Sequence, residues 1–169
     1  LRAIAFDILP ENYLMAARNI IENDLVGRID LRLCGLAEAD GSVIMPRSAN
    51  IPSHPSSMSL GADYRDGVTV PVRPLDSFGL SGRMLWKIDV ETYEWSVVQG
   101  AAETIRRHKP DIVCEILPRF AYSAELQRFF EPLGYRFFIA LETGFEQRPT
   151  LAPDRGGRDW VLTTRYSVS

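Results

Sequence analysis

A short apolar segment that ends in carboxylates and leads directly into a helix restricts the folds open to this chain of 169 residues. Residues 84–90 are apolar up to Asp89 except for Lys87, and this run predicts a strand buried on both faces. Residues 94–108 follow with apolar side chains at helical spacing, namely Trp95, Val98, Ala102 and Ile105. Ligands of open α/β sheets bind at the carboxyl ends of strands. Asp89 and Glu91, which stand at such an end, are therefore candidate functional residues.

Strands and helices alternate along the rest of the chain. Turn signals and hydrophobic periodicity predict strands at residues 3–7, 29–34, 42–45, 68–73, 111–116, 135–141 and 160–163. Helices are predicted at residues 10–23, 94–108 and 123–133, and residues 143–157 are rich in turns. This alternation predicts an α/β fold with a mostly parallel sheet and helices on both faces. The length and 46% hydrophobic content favour one domain over residues 1–169.

Charge and composition exclude several classes of function. The net charge is -3, and the scattered Lys and Arg residues provide no footprint for a nucleic-acid backbone. The sequence has neither an apolar run of transmembrane length nor a signal-peptide pattern, so we predict a soluble, cytoplasmic protein without a membrane partner. Cys34 and Cys114 lie far apart in apolar runs and are predicted to be inert core thiols. The oligomeric state is open, a homo-oligomer included.

Residues 38–83 are predicted to form an insertion of loop and hairpin within the domain. Its residues 46–59 are rich in Ser and Pro, and a loop of this length is either a lid over a site or disordered without function. His54 lies in this loop and is a candidate catalytic base. A solvated loop histidine is the competing interpretation.

Four stretches together resemble the FkbM family of S-adenosylmethionine-dependent methyltransferases. They are residues 5–13 (AFDILPENY), residues 37–41 (AEADG), residues 87–91 (KIDVE) with the following Glu94-Trp95 and Gly100-Ala101, and residues 113–116 (VCEI). The resemblance implies a Rossmann-like class I methyltransferase sheet and S-adenosylmethionine as the cofactor. The sequence departs from the family at Thr92, where the family usually has glycine, and at Asp7, where the family frequently has glutamate.

The glycine-rich turn and first strand of the family have no counterpart in this sequence. The resemblance therefore implies a chain truncated at its amino end, which lacks the strand that normally lies between those ending at Asp7 and Asp89. A strand, turn and helix would need about 20 to 30 further residues.

The resemblance also assigns cofactor-binding roles. A carboxylate at the tip of the second strand can accept both ribose hydroxyls, which makes Asp7 the candidate ribose ligand. An acid near the positive end of the following helix is the alternative interpretation of Asp7. Ile8 and the turn formed by Cys34, Gly35 and Leu36 are expected to enclose the adenine, since such sites are mainly apolar.

The acceptor side of the reaction is assigned to carboxylates. Methyl transfer to an alcohol needs the acceptor oxygen aligned with the methyl group and its proton removed. Asp89 is the first candidate for this role and Glu91 the second, while Glu115 and Tyr93 are candidate substrate ligands. Favourable charge at a helix start explains Glu94 and is an alternative for Glu91. The hypothesis includes no metal, although a divalent ion on these carboxylates is conceivable.

The resulting functional hypothesis is an S-adenosylmethionine-dependent O-methyltransferase acting on a hydroxyl of a sugar or natural product. The alternative is a non-catalytic binding or assembly domain on a degenerate methyltransferase scaffold.

Overall fold

The computed structural model describes residues 2–45, 67–117 and 122–166, so His54 and the predicted loop at residues 46–59 lie outside the described residues. Two compact units divide the chain at Pro74. In chain order, the first unit contains β1 (Ala3–Asp7), α1 (Pro10–Glu22), β2 (Ile29–Leu33), β3 (Gly35–Leu36), β4 (Gly41–Met45) and β5 (Val68–Arg73). The prediction of a single domain stays a prediction.

The strands of the first unit form two small sheets. β1 and β2 pair in parallel, with Ala3 opposite Ile29 and Asp7 opposite Leu33. The other sheet has the order β3-β5-β4, in which β3 is parallel and β4 antiparallel to β5. A core of buried side chains includes Leu9, Met45 and Val70.

Helix α1 begins where the sequence places a proline. Pro10 occupies the first turn, where a missing backbone N–H costs nothing because that group has no intrahelical partner. Asp24 and Gly27 follow the helix with φ angles of 54° and 78°, in the left-handed region where helices end. The helix and its approach are therefore set by local sequence.

The second unit carries the remaining elements. In chain order they are β6 (Leu85–Ile88), α2 (Glu94–Gly100), α3 (Ala102–His108), β7 (Asp111–Glu115), α4 (Ser123–Phe130), β8 (Arg136–Leu141), β9 (Gly144–Arg148) and β10 (Asp159–Thr163), with 3-10 turns at Leu75–Phe78 and Glu131–Leu133. No helix among the described residues is long and apolar enough to cross a membrane.

The sheet of the second unit is mixed, and the expectation of a mostly parallel sheet is not confirmed. Its order is β6-β7-β10-β8-β9, and only β6 and β7 pair in parallel. Two residues join β8 to β9, and so short a connection permits only antiparallel pairing. β10 returns antiparallel between β7 and β8. The observed architecture is an α/β fold with mixed sheets.

Three further expectations need correction. The helix predicted at residues 94–108 is two helices, because the backbone at Ala101 leaves helical geometry with φ -113° and ψ 6°. The strand predicted at residues 84–90 is only β6, and Leu85 is 72% exposed instead of buried. The turn-rich residues 143–157 contain β9, whose largely exposed side chains lack the apolar alternation by which a strand is recognised in sequence.

Candidate functional site

The turn between β6 and α2 is held by a buried glutamate. Glu94 is 1% exposed, and its Oε1 accepts hydrogen bonds from the backbone N–H groups of Val90 (3.3 Å) and Thr92 (3.2 Å). Burial raises the pKa of Glu94, against the opposing effect of the backbone N–H groups that it binds. Glu94 therefore has the structural role expected for an acid at a helix start, where it fixes the turn that carries Asp89 and Glu91.

This turn contains two consecutive residues in the left-handed region. Glu91 has a φ of 53° and Thr92 a φ of 85°. Positive φ angles are uncommon for residues other than glycine, and for a branched side chain such as that of Thr92 they are outliers. The chain thus forms at Thr92 a turn for which glycine is the favoured residue.

Three predicted site residues converge beyond the ends of β6 and β7. Parallel pairing places Ile88 beside Cys114, so Asp89 and Glu115 leave their strands as neighbours. One carboxylate oxygen from each of Asp89, Glu91 and Glu115 lies within 4.8 Å of the other two. We call these three residues the acidic trio. The structure therefore brings together three of the predicted site residues, while their functional roles stay predictions.

Glu115 has a raised pKa. Its side chain is 14% exposed. Burial is the main cause that raises the pKa of Glu115, and the negative charge of Asp89 adds to it, while Arg158 works against it. A carboxylate with a raised pKa holds a proton more readily, so Glu115 is better suited than an ordinary surface acid to accept one near neutral pH.

Basic side chains border the acidic trio. Lys87 Nζ lies 3.6 Å from Asp89 Oδ2 and 2.7 Å from Asp159 Oδ1, and Arg158 lies 3.7 Å from Glu115. Partial burial acts to lower the pKa of Lys87, but the hydrogen bond to Asp159 and the surrounding negative charges outweigh it, so the pKa of Lys87 is raised. The ammonium group therefore stays charged and offsets part of the negative charge.

Sequence reasoning did not identify Lys87, Arg158 or Asp159 as site residues. Lys87 stands out in the sequence as the single break in an apolar strand and as the first residue of the stretch KIDVE, and Arg158 and Asp159 follow a turn-rich stretch. Asp159 reaches the site because β10 pairs antiparallel with β7, which puts Asp159 opposite Glu115. That pairing has no signal in the local sequence.

The acidic trio has two chemical uses. Carboxylates accept hydrogen bonds and protons from hydroxyl groups, and clustered carboxylates are also ligands for hard cations. Exposed acidic groups are common without an ion. The hypothesis of a metal-free site stays a prediction.

The predicted cofactor residues lie together within the first unit. Asp7 Oδ1 accepts a hydrogen bond of 2.8 Å from the Leu9 N–H, which agrees with the interpretation of Asp7 as an acid that prepares a helix. No residue in the described part of the chain binds Asp7 Oδ2. Cys34 adjoins Asp7 through a backbone hydrogen bond of 3.0 Å from its N–H to the Asp7 carbonyl. The end of β1 and the turn after β2 thus form one surface with an available acceptor.

Close packing explains the glycine in the turn after β2. A Cβ atom at Gly35 would lie 2.6 Å from Ile8 Cδ1 and 2.8 Å from Val72 Cγ1, so only glycine fits there without movement. Cys34 is buried, and burial raises the pKa of its thiol, in agreement with an inert role. Ile8 and Leu36 are half-buried and keep apolar surface in reach of a ligand.

The structure describes Tyr93, Trp95 and Cys114 but not His54. Tyr93 is half-buried and directly precedes α2, next to the turn of the acidic trio. Its neighbour Trp95 packs edge-to-face on Phe129 at 6.2 Å and belongs to the packing between α2 and α4. Cys114 is buried, and burial raises the pKa of its thiol. His54 lies outside the described residues, so its role as a base stays a prediction.

Comparison with known proteins connects this geometry to a family. The family model "Methyltransferase FkbM domain" matches residues 10–137. A solved structure, the methyltransferase FkbM from Methylobacillus flagellatus KT, is similar with a TM-score of 0.59 and 18% sequence identity. The similarity covers 95% of this chain and 36% of that chain, so the chain spans about a third of its length. No curated protein matches the chain. The fold is therefore shared with an FkbM methyltransferase, and the chain belongs to the FkbM methyltransferase domain family.

Proposed function

We propose that the protein containing this sequence transfers a methyl group from S-adenosylmethionine to a hydroxyl of a small acceptor, a sugar or another natural product. Family membership supports methyl transfer. The observation that carries the choice of a hydroxyl is the acidic trio, whose carboxylates can both orient an alcohol and accept its proton. Neither a nucleic acid nor a membrane has a part in the proposal.

The side chains of the first unit suit the nucleoside part of the cofactor. Asp7 Oδ2 can accept hydrogen bonds from ribose hydroxyls, and Ile8 and Leu36 offer apolar surface for the adenine, with Cys34 and Gly35 shaping the turn. Bound S-adenosylmethionine would supply an electrophilic methyl group on a positively charged sulfur.

The second unit carries the acceptor chemistry. Asp89 is half-exposed and can orient the acceptor hydroxyl, while the raised pKa of Glu115 suits it to hold the proton that the hydroxyl loses. Glu91 flanks both carboxylates, and Tyr93 borders the same turn as a substrate contact. Lys87 and Arg158 keep Asp89 and Glu115 in position by ion pairs.

We also propose that the strands belong to a Rossmann-like class I methyltransferase sheet. In a Rossmann-like sheet with its first strand missing from this sequence, open strand edges are expected. Among the described strands, β1 pairs only with β2 and β6 only with β7. Each of them therefore keeps an edge at which a further strand can pair.

Cofactor binding and turnover separate the proposed roles. Calorimetry measures the affinity of the protein for S-adenosylhomocysteine. Turnover is measured as the formation of S-adenosylhomocysteine from S-adenosylmethionine in the presence of a panel of hydroxyl compounds. We expect Asp7→Asn to weaken the affinity about tenfold or more, because a hydrogen bond to a charged acceptor contributes about 1.5 to 3 kcal/mol. We expect Asp89→Asn to lower kcat about 100-fold with little change in affinity, because proton transfer contributes at least that factor.

Asp30→Asn is the matched control, since Asp30 is an exposed aspartate of β2 that pairs with Arg32 at 2.6 Å. It should change neither measurement. Loss of both activities in all three variants would indicate general destabilisation and contradict the assigned roles. If a chain extended through the glycine-rich turn of the family does not bind S-adenosylhomocysteine at all, the methyltransferase proposal is wrong and a non-catalytic binding or assembly domain takes its place.

A further inference from the structure

A shallow cavity of the second unit, open to solvent, has the opposite electrostatic character from the acidic trio. It has a volume of about 610 Å³ and is lined by Gly82, Arg83, Arg107, His108, Arg165 and Tyr166. We call it the basic cavity. Volumes of about 300 to 1,000 Å³ are typical of small-molecule sites. None of its lining residues is acidic.

The basic cavity lies at the other end of the sheet from the acidic trio. Arg83 precedes β6 and Asp89 follows it, and at a strand rise of about 3.3 Å per residue the two ends are about 15 to 20 Å apart. Arg165 follows β10, and its ion pair with Asp111 places it at the start of β7. A ligand of the basic cavity would therefore leave the acidic trio free.

Two of the three arginines have no ion-pair partner among the described residues. Neither Arg83 nor Arg107 makes a salt bridge there. Arg106, which adjoins Arg107 in the last turn of α3, shows the contrast: it pairs with Glu103 at 2.7 Å and lies over the Phe129 ring at 5.3 Å. Favourable charge at a helix end accounts for Arg106, but it does not explain why Arg107 and Arg83 converge from different elements on one cavity.

Arg165 is fixed in position before any ligand arrives. Its NH1 donates to Asp111 Oδ2 at 2.7 Å, and its NH2 donates to the Lys109 carbonyl at 3.3 Å. Asp111 is itself held by the Thr163 hydroxyl at 2.6 Å. A guanidinium held in this way loses little conformational freedom when it binds an anion.

We propose that the basic cavity binds a small organic phosphate or diphosphate. Guanidinium groups match phosphate oxygens with paired hydrogen bonds. The charge of Arg165 is offset by Asp111, and the two charges of Arg83 and Arg107, which have no ion-pair partner among the described residues, favour an anion with more than one negative charge. The cavity is larger than a phosphate requires, and the rings of Tyr166 and His108 provide surface for an organic part. This site goes beyond the proposed methyl transfer and does not depend on it.

The test titrates the complete chain with inorganic pyrophosphate and follows binding by calorimetry and by NMR amide shifts. We expect saturable binding that weakens with rising salt, with the largest shifts at Gly82, His108 and Arg165. The double variant Arg83→Gln/Arg107→Gln should weaken the affinity about tenfold or more, because each charged hydrogen bond contributes appreciably. Both side chains are exposed, so the fold should be retained.

The control variant Arg18→Gln/Arg128→Gln removes two exposed positive charges at other positions, each of which pairs with a glutamate. It should keep the native affinity. The proposal is overturned if pyrophosphate does not bind saturably, if the shifts spread over the surface, or if the control loses as much affinity as the cavity variant. Succinate that binds as tightly as pyrophosphate would overturn the assignment to phosphates. The shift map uses the native chain, so the outcome does not depend on how the variants fold.

Discussion

The strained turn after β6 gives a stability prediction that can be worked from one backbone angle. Thr92 has a φ of 85°, while its N–H remains bonded to the buried carboxylate of Glu94 at 3.2 Å. The left-handed region costs an L-residue about 1 to 2 kcal/mol, and a branched side chain lies towards the upper end. Thr92→Gly removes this strain and keeps the hydrogen bond, because the bond uses only the backbone.

Glycine brings a cost of its own that must be subtracted. It loses more conformational freedom on folding than other residues, which amounts to about 0.5 to 1 kcal/mol. The Thr92 side chain makes no hydrogen bond to a described residue, so its removal costs little more. We therefore expect Thr92→Gly to raise the free energy of unfolding by about 1 kcal/mol, which corresponds to about 2 to 4 °C in Tm for a chain of this size.

Urea unfolding followed by Trp fluorescence, together with thermal unfolding, measures this change. Thr92→Ala is the matched control, because alanine keeps the Cβ atom that causes most of the strain. It should gain clearly less than Thr92→Gly. If alanine stabilises the protein as much as glycine, or if glycine destabilises it, the strain at Thr92 has been misjudged.

Two further predictions concern carboxylates of the second unit. Asp76 caps α3 from 27 residues away along the chain: its carboxylate accepts hydrogen bonds from the Glu103 N–H (3.0 Å), the Thr104 N–H (2.8 Å) and the Thr104 hydroxyl (2.6 Å). Asp76→Ala should therefore lower the free energy of unfolding, measured in urea, by about 1 to 2 kcal/mol. Asp76→Asn retains one acceptor oxygen and should lose less, and equal losses would contradict the capping role. Burial raises the pKa of Glu115, so protonation of this residue stabilises the folded chain. This stabilisation is complete below the ordinary glutamate pKa of about 4.3 and is lost as the pH rises through the raised pKa of Glu115. Glu115→Gln should therefore gain in Tm relative to the native protein at about pH 7.5 but not at about pH 4, and a difference independent of pH would refute the shift.

Local signals predicted the elements that depend on local chemistry. The strands at residues 3–7 and 68–73 have the predicted bounds, and α1 begins at Pro10 as expected. In these segments the alternation of side chains, the fixed φ of proline and the following turn all favour one conformation. The same holds for the turn at Asp89, because a strand followed by a helix start identifies the end of a strand from sequence alone.

The order of neighbours in the sheet had no such signal. Strand β10 lies between β7 and β8, and β9 adds an edge with largely exposed side chains, so a sheet predicted as mostly parallel is mixed. Which strands pair depends on the burial of whole sheet faces and on the length of the connections between strands. A short stretch of sequence does not contain this information. The break at Ala101, in contrast, has a local signal, because α2 ends at Gly100 and glycine is a poor helix former.

The sequence by itself indicated the family, and it placed the candidate carboxylates Asp89, Glu91 and Glu115 after strand-like runs and Asp7 before a proline-started helix. Only the tertiary structure decided that three of these acids meet within 4.8 Å, that Lys87 and Asp159 join them, and that arginines collect at the opposite end of the sheet. The physical reason is that the type of a residue and the end of a strand are local properties. The charges that surround a residue depend on which distant strand pairs beside it, and that choice is made by the packing of the whole sheet.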